Sequence, residues 1–205
     1  MMTRASDVDE MAAALRLGRR LQWATIAWNC VEVVVTMYLG IVAGSLALVA
    51  FGLDSLVEVF ASAVVIWHMA PGEPGGDGGG ERDVRAMRLV AGAFGALAVY
   101  LAVAGGRALW LHDPAEPSPA GIVYLGVTAA VMFTMAAAKR RVARALQSEP
   151  FAAEASMTFL DGALASSILV ALALNWGLGW WWADPAAALL VAAAAGHEAL
   201  EHWRD

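Results

Sequence analysis

Long apolar runs separated by short polar or glycine-rich breaks dominate the sequence. A helix needs about 20 mainly apolar residues to cross the hydrocarbon core of a bilayer. The pattern therefore predicts an all-α membrane protein with six transmembrane helices. Their predicted spans are about 21–43, 45–69, 86–110, 119–138, 152–174 and 184–201. Residues 1–20 carry charges of both signs and are predicted to form an amphipathic cytoplasmic segment before the first span.

Composition supports a membrane protein and excludes an ordinary soluble domain. The chain is 60% hydrophobic and 16% charged, whereas a soluble domain carries about 25% charged residues. A single cysteine, Cys30, rules out a disulfide framework and a cysteine-based metal site. Phosphate loops, nucleophile elbows and zinc-protease motifs are absent from the sequence. We therefore expect neither an enzyme, nor a bound cofactor, nor a nucleic-acid partner. The abundance of alanine, glycine and arginine is compatible with a GC-rich bacterial genome and a bacterial inner membrane.

The distribution of basic residues predicts the orientation of the six spans. Basic residues gather before the first span, between the second and third, after the fourth and after the sixth. All but one of the 13 basic residues would then lie on the same side of the membrane, with Arg107 the exception. Because cytoplasmic loops are enriched in lysine and arginine, both termini are predicted to be cytoplasmic.

Acidic residues lie inside three of the apolar runs. In FGLDSLVEVF, Asp54 and Glu58 are four residues apart and share one helical face. Asp161 in the fifth span and Glu32 in the first lie at similar predicted depth, Asp54 and Asp161 each roughly 14 Å from opposite membrane surfaces. A charge at the bilayer centre costs about 2.5–3.5 kcal/mol on insertion scales. Since no basic residue is expected at that depth, a bound cation or protons must neutralise these acids. A hydrogen bond to a neighbouring hydroxyl is an equally open role for Glu32.

Three segments resemble the membrane domain of the cation diffusion facilitator family: GSLALVAFGLDSLVEVFAS, AEASMTFLDGALASSILVAL and WWADPAAALLVA. The resemblance covers about residues 20–203. It implies six spans, cytoplasmic termini, a homodimer, and a metal site made by ligands four residues apart on spans two and five. Asp54, Glu58 and Asp161 fall on ligand positions of that site, and Met157 falls where the family commonly has histidine.

The chain departs from the family pattern in ways that bear on the site. Glu58 replaces the more usual aspartate, and the Met157 thioether is a soft, weak ligand. Further candidate ligands are Glu32 and Glu154, the latter one turn before Met157 and on the path into the site. We also expect no soluble domain after the sixth span, although many relatives carry one.

The resemblance implies a divalent metal cation transporter that exports metal from the cytoplasm, with proton exchange as the expected driving reaction. Zinc is the metal expected from the family, whereas a site rich in carboxylates and poor in nitrogen favours manganese or iron(II). Two alternatives stay open at this point. One is a non-transporting membrane protein that senses metal or binds a partner, and the other is a membrane-embedded metal-dependent enzyme.

Overall fold

The computed structural model of the protein describes residues 3–69, 79–113, 115–147 and 149–204, with side chains at 13–60, 88–113, 115–147, 151–152, 155–201 and 203. This part of the chain forms six α-helices: α1 (Thr3–Ala43), α2 (Leu46–Met69), α3 (Gly79–Leu111), α4 (Pro119–Leu146), α5 (Glu149–Leu178) and α6 (Ala183–Arg204). The prediction of six helices is confirmed. The amphipathic segment expected before the first span is continuous with it, as the beginning of α1.

Within the part of the chain whose side chains are described, four helices are long and apolar enough to cross a membrane. Their qualifying segments are Ala13–Ala43, Arg88–Leu111, Pro119–Leu146 and Ala155–Leu178. In α2 the described side chains end at Phe60, which leaves too short a stretch for this criterion. In α6 the polar residues Asp184, His197 and Glu198 lower the mean hydropathy. Together with the family match reported below, these helices make the chain a multi-pass membrane protein.

The six helices pack in pairs around a shared core. The most extensive contacts are between α4 and α5, between α3 and α6, and between α1 and α2. Because the connections are short, helices that follow each other in the chain lie antiparallel. The α1–α2 turn uses Gly44 at φ +59°, in the left-handed region that favours glycine. A Cβ atom at Gly52 would lie 2.6 Å from Thr36 Oγ1, so α1 and α2 are in close contact just before Asp54.

Asp184 links the beginning of α6 to the beginning of α2 through hydrogen bonds. Its Oδ1 atom accepts a hydrogen bond from the Ser45 hydroxyl. Its Oδ2 atom accepts hydrogen bonds from the backbone N–H groups of Leu46 (2.8 Å) and Ala47 (3.2 Å). The first N–H groups of a helix have no partner within the helix, so Asp184 supplies acceptors that α2 would otherwise lack at a buried position.

Replacing Asp184 by alanine is expected to lower the free energy of unfolding by about 2–4 kcal/mol. The change leaves buried N–H groups at Leu46 and Ala47 without their acceptor, and each such group costs about 1–3 kcal/mol. Thermal unfolding of the purified protein in detergent measures the effect. Asp113→Ala is the matched control, because Asp113 is exposed. Equal unfolding temperatures for the two variants would contradict the prediction.

Candidate cation site

A cavity of about 430 Å³ lies among the helices, and all six contribute to its lining. Apolar side chains such as Phe94, Leu164 and Leu190 form part of its wall. The polar and charged lining residues are Gln22, Thr25, Asn29, Asp54, Glu58, Lys139, Thr158, Asp161, Ser167, His197 and Glu198. Polar groups from α1, α2, α4, α5 and α6 thus converge inside a mainly apolar bundle. This is the arrangement expected of a site for a polar ligand.

The three carboxylates at the predicted ligand positions all line this cavity. Glu58 of α2 and Asp161 of α5 lie within hydrogen-bonding distance of each other. Two ionised carboxylates can only accept hydrogen bonds, so this contact is compatible with a shared proton or with a cation between the oxygens. Asp54 is buried one turn from Glu58 on α2 and interacts electrostatically with it. The structure therefore brings together residues that are more than 100 positions apart in sequence.

Asn29 joins this cluster from α1. Its Nδ2 atom donates a hydrogen bond of 2.7 Å to Glu58 Oε2. The residue is only 5% exposed. Among the described side chains, its buried Oδ1 atom has no hydrogen-bond partner. A buried carbonyl oxygen of this kind is usually paired. Asn29 therefore offers the cavity an oxygen donor that could bind a cation.

Both carboxylate oxygens of Glu32 accept hydrogen bonds from neighbouring side chains. Its Oε1 atom accepts a hydrogen bond from the Ser55 hydroxyl at 2.6 Å, and its Oε2 atom accepts one from Trp28 Nε1 at 3.1 Å. It is buried and does not contribute to the lining of the cavity. The hydrogen bond to a hydroxyl, one of the two roles open from the sequence, is present. Because Ser55 follows Asp54, this bond also fixes the α2 backbone next to the cavity.

Met157 lines the cavity one turn before Asp161, as their spacing predicts. Its side chain is 46% exposed. The side chain of Glu154, the other candidate in this part of α5, lies outside the described residues. Where side chains are described, no three histidine, cysteine, aspartate or glutamate residues are grouped closely enough to hold a metal ion as they stand. The carboxylates therefore share a cavity without forming a complete coordination shell.

Lys139 corrects one expectation from the sequence. No basic residue was expected at the depth of the acids, yet the Lys139 side chain lines the same cavity. The residue is 3% exposed, and its Nζ atom donates a hydrogen bond of 2.9 Å to Thr158 Oγ1. A lysine side chain can carry its ammonium group several ångströms from its own backbone position. A depth calculated from the rise per helical residue does not include this reach. One ammonium group still cannot neutralise three carboxylates.

Two further lining residues were missed because the sequence placed them at the edge of the membrane. Glu198 of α6 lines the cavity and interacts electrostatically with Asp54 and Glu58. His197 beside it has a side chain that is 70% exposed and lies 3.3 Å from Glu201. Both residues stand near the end of a hydrophobic run. From the sequence alone, a residue there that lines a cavity cannot be distinguished from one at the membrane interface.

The cavity lies toward one end of the bundle, because its lining on α1 runs from Gln22 to Asn29 and its lining on α4 is Lys139. His197 of α6, whose side chain is exposed, also lines the cavity. Exposed arginines are found around that end, at Arg16, Arg19, Arg20, Arg140, Arg141 and Arg144. The opposite end is held by the contacts of Asp184 and by two further hydrogen bonds. Asn175 Nδ2 donates to the Ala115 carbonyl at 3.1 Å, and the Glu116 N–H donates to the Ala43 carbonyl at 2.8 Å.

Comparison with known proteins identifies the family. The family model of the cation efflux transmembrane domain matches residues 86–205, which is more than half of the chain. The match includes Met157 and Asp161 but not Asp54 and Glu58, although the α2 segment carried much of the resemblance noted in the sequence. No curated protein matches the chain. Members of the matched family are cation efflux transporters and not enzymes, which argues against the enzyme alternative. The chain belongs to the cation efflux family, and the cavity-lining residues of α3 to α6 lie within the matched transmembrane domain.

Proposed function

We propose that this protein exports a divalent metal cation from the cytoplasm in exchange for protons, with Asp54, Glu58 and Asp161 as its principal ligands. The observation that carries the proposal is the convergence of these three acids on one cavity. Buried ionisable groups in membrane proteins mark ion pathways far more often than they serve packing. A family of cation efflux transporters makes a cation the natural occupant.

The donors around the cavity favour a hard or borderline cation. Three carboxylates and the Asn29 Oδ1 atom would supply oxygen ligands, which suit manganese and iron(II). Zinc also binds carboxylates but is commonly held with histidine or cysteine, and the histidine position of the family carries Met157. We therefore infer that manganese or iron(II) is transported at least as well as zinc. On cation binding, Asp54 would move toward Glu58 and Asp161 to complete the site.

The contact between Glu58 and Asp161 supports the proposal of proton exchange. Without metal the two carboxyl groups are compatible with a shared proton. A divalent cation would displace that proton, and protonation from the other side would release the cation. The arginine-rich end would face the cytoplasm, so the cavity in this conformation would load from the cytoplasm. Release would require the end around Asp184 to open, as in alternating access.

Flux into sealed vesicles tests the proposal. The purified protein is reconstituted into liposomes, and uptake of zinc, manganese and iron(II) is measured with and without an acidic lumen. We expect uptake above that of protein-free liposomes, and faster uptake when the lumen is acidic. Equal uptake rates with and without the pH gradient would contradict proton exchange but not metal transport. Metal binding without any uptake would contradict transport and favour the non-transporting, metal-sensing alternative.

A further inference from the structure

Lys139 places a positive charge in the same cavity as the three acids. Its Nζ atom is held 2.9 Å from Thr158 Oγ1, and Thr158 lies three residues before Asp161 on α5. Residues three apart share a helical face, so the ammonium group lies on the side of α5 that carries Asp161. The lysine interacts electrostatically with Asp161. Neighbouring Arg140 and Arg141 are exposed instead, so burial of the lysine is not a general property of this helix end.

We propose that Lys139 acts as a fixed positive charge that weakens metal binding and thereby speeds release of the transported cation. The inference rests on the proposed function, because it assigns a role at the same site. In the empty transporter the ammonium group offsets part of the negative charge of Asp54, Glu58 and Asp161. When a divalent cation enters, the two positive charges repel each other.

A transporter needs such an opposing charge because tight binding slows turnover. A site must bind strongly enough to load its ion but weakly enough to release it. Three carboxylates in a partly buried cavity interact with a divalent cation more strongly than they would in water, since screening there is reduced. The hydrogen bond to Thr158 holds the ammonium group in the cavity, where its repulsion acts on the bound cation.

The inference predicts a gain of affinity, which a purely structural role for the lysine does not. Lys139→Gln keeps a donor for Thr158 but removes the charge, and Lys139→Met removes both. Each should bind manganese at least tenfold more tightly than the wild type, equivalent to about 1.4 kcal/mol. Each should also turn over more slowly at saturating metal. Lys139→Arg keeps the charge and should retain an affinity close to that of the wild type.

The experiment uses the full chain in lipid nanodiscs, with manganese and zinc affinities measured by competition with a fluorescent chelator. Arg141→Met is the matched control, because it removes a positive charge two residues away that is exposed and does not line the cavity. Its affinity should equal that of the wild type. A similar gain in Arg141→Met would show a general surface effect and overturn the inference.

Unchanged or weaker binding in a folded Lys139→Gln protein would likewise overturn the inference. If neither uncharged variant folds, the charge is structural and the inference is wrong. The proposed function fails in a different way. If the wild type binds and transports no metal, both proposals fall. If Asp161→Asn abolishes binding and the Lys139 variants match the wild type, only the role of Lys139 is refuted.

Discussion

Asp161→Asn is expected to reduce metal uptake at least about 100-fold while the protein stays folded and inserted. Asparagine has nearly the same size as aspartate, so the cavity keeps its shape, but the site loses one of its three negative ligands. Loss even of an outer partner of a metal ligand commonly costs 10–100-fold in affinity or activity. The substitution also removes a charge from the membrane interior, which favours insertion. Asp54→Asn should have the same effect, because its carboxylate lies in the same cavity.

Uptake into proteoliposomes and thermal unfolding in detergent separate these losses from misfolding. Asp113→Asn is the control, because this aspartate is exposed and does not line the cavity. It should transport at the wild-type rate. Wild-type rates in both Asp54→Asn and Asp161→Asn would refute the assignment of the site.

Met157→His is expected to raise the preference for zinc over manganese about tenfold. The side chain lies on the cavity one turn from Asp161, so an imidazole there would add a nitrogen donor beside the carboxylates. Zinc accepts histidine ligands more readily than manganese does. Zinc and manganese uptake measured in the same vesicle preparation gives the ratio directly.

Met157→Leu is the matched control for that change. Leucine and methionine are close in volume, and such exchanges usually cost less than about 1.5 kcal/mol. If three carboxylates hold the cation, the leucine variant should transport at nearly the wild-type rate. Loss of all transport would instead identify the sulfur as a ligand and indicate a softer cation.

The sequence predicted the helices well because the membrane imposes a simple length rule. Apolar runs located all six, while the helices extend beyond the predicted spans at polar segments such as KRRVARAL, which are helical without being apolar. The depth argument also placed Asp54 and Asp161 at one level, and they share the cavity. That argument depends only on the rise per residue and the membrane thickness.

What the sequence could not predict depends on side-chain reach and on pairing between helices. Lys139 was assigned to the membrane surface because its backbone position lies there, whereas its ammonium group extends into the cavity. Asn29 carries no charge, so it gave a weaker signal than the acids. The role of Glu32 depended on whether Ser55 would face it, which only the packing of α1 against α2 determines. The hydrogen bond between Asp184 and Ser45, which are 139 positions apart, likewise depends on how the helices pack.

The two helices that carry Glu58 and Asp161, α2 and α5, pack mainly against different partners. Asp184 ties the beginning of α2 to α6, and α6 packs extensively against α3. By contrast, α5 packs mainly against α4 and makes few contacts with α2. The Glu58–Asp161 pair therefore joins two helices that make few other contacts with each other. Any movement that separates α5 from α2 would pull the paired carboxyl groups apart. The same displacement would therefore also break up the candidate cation site.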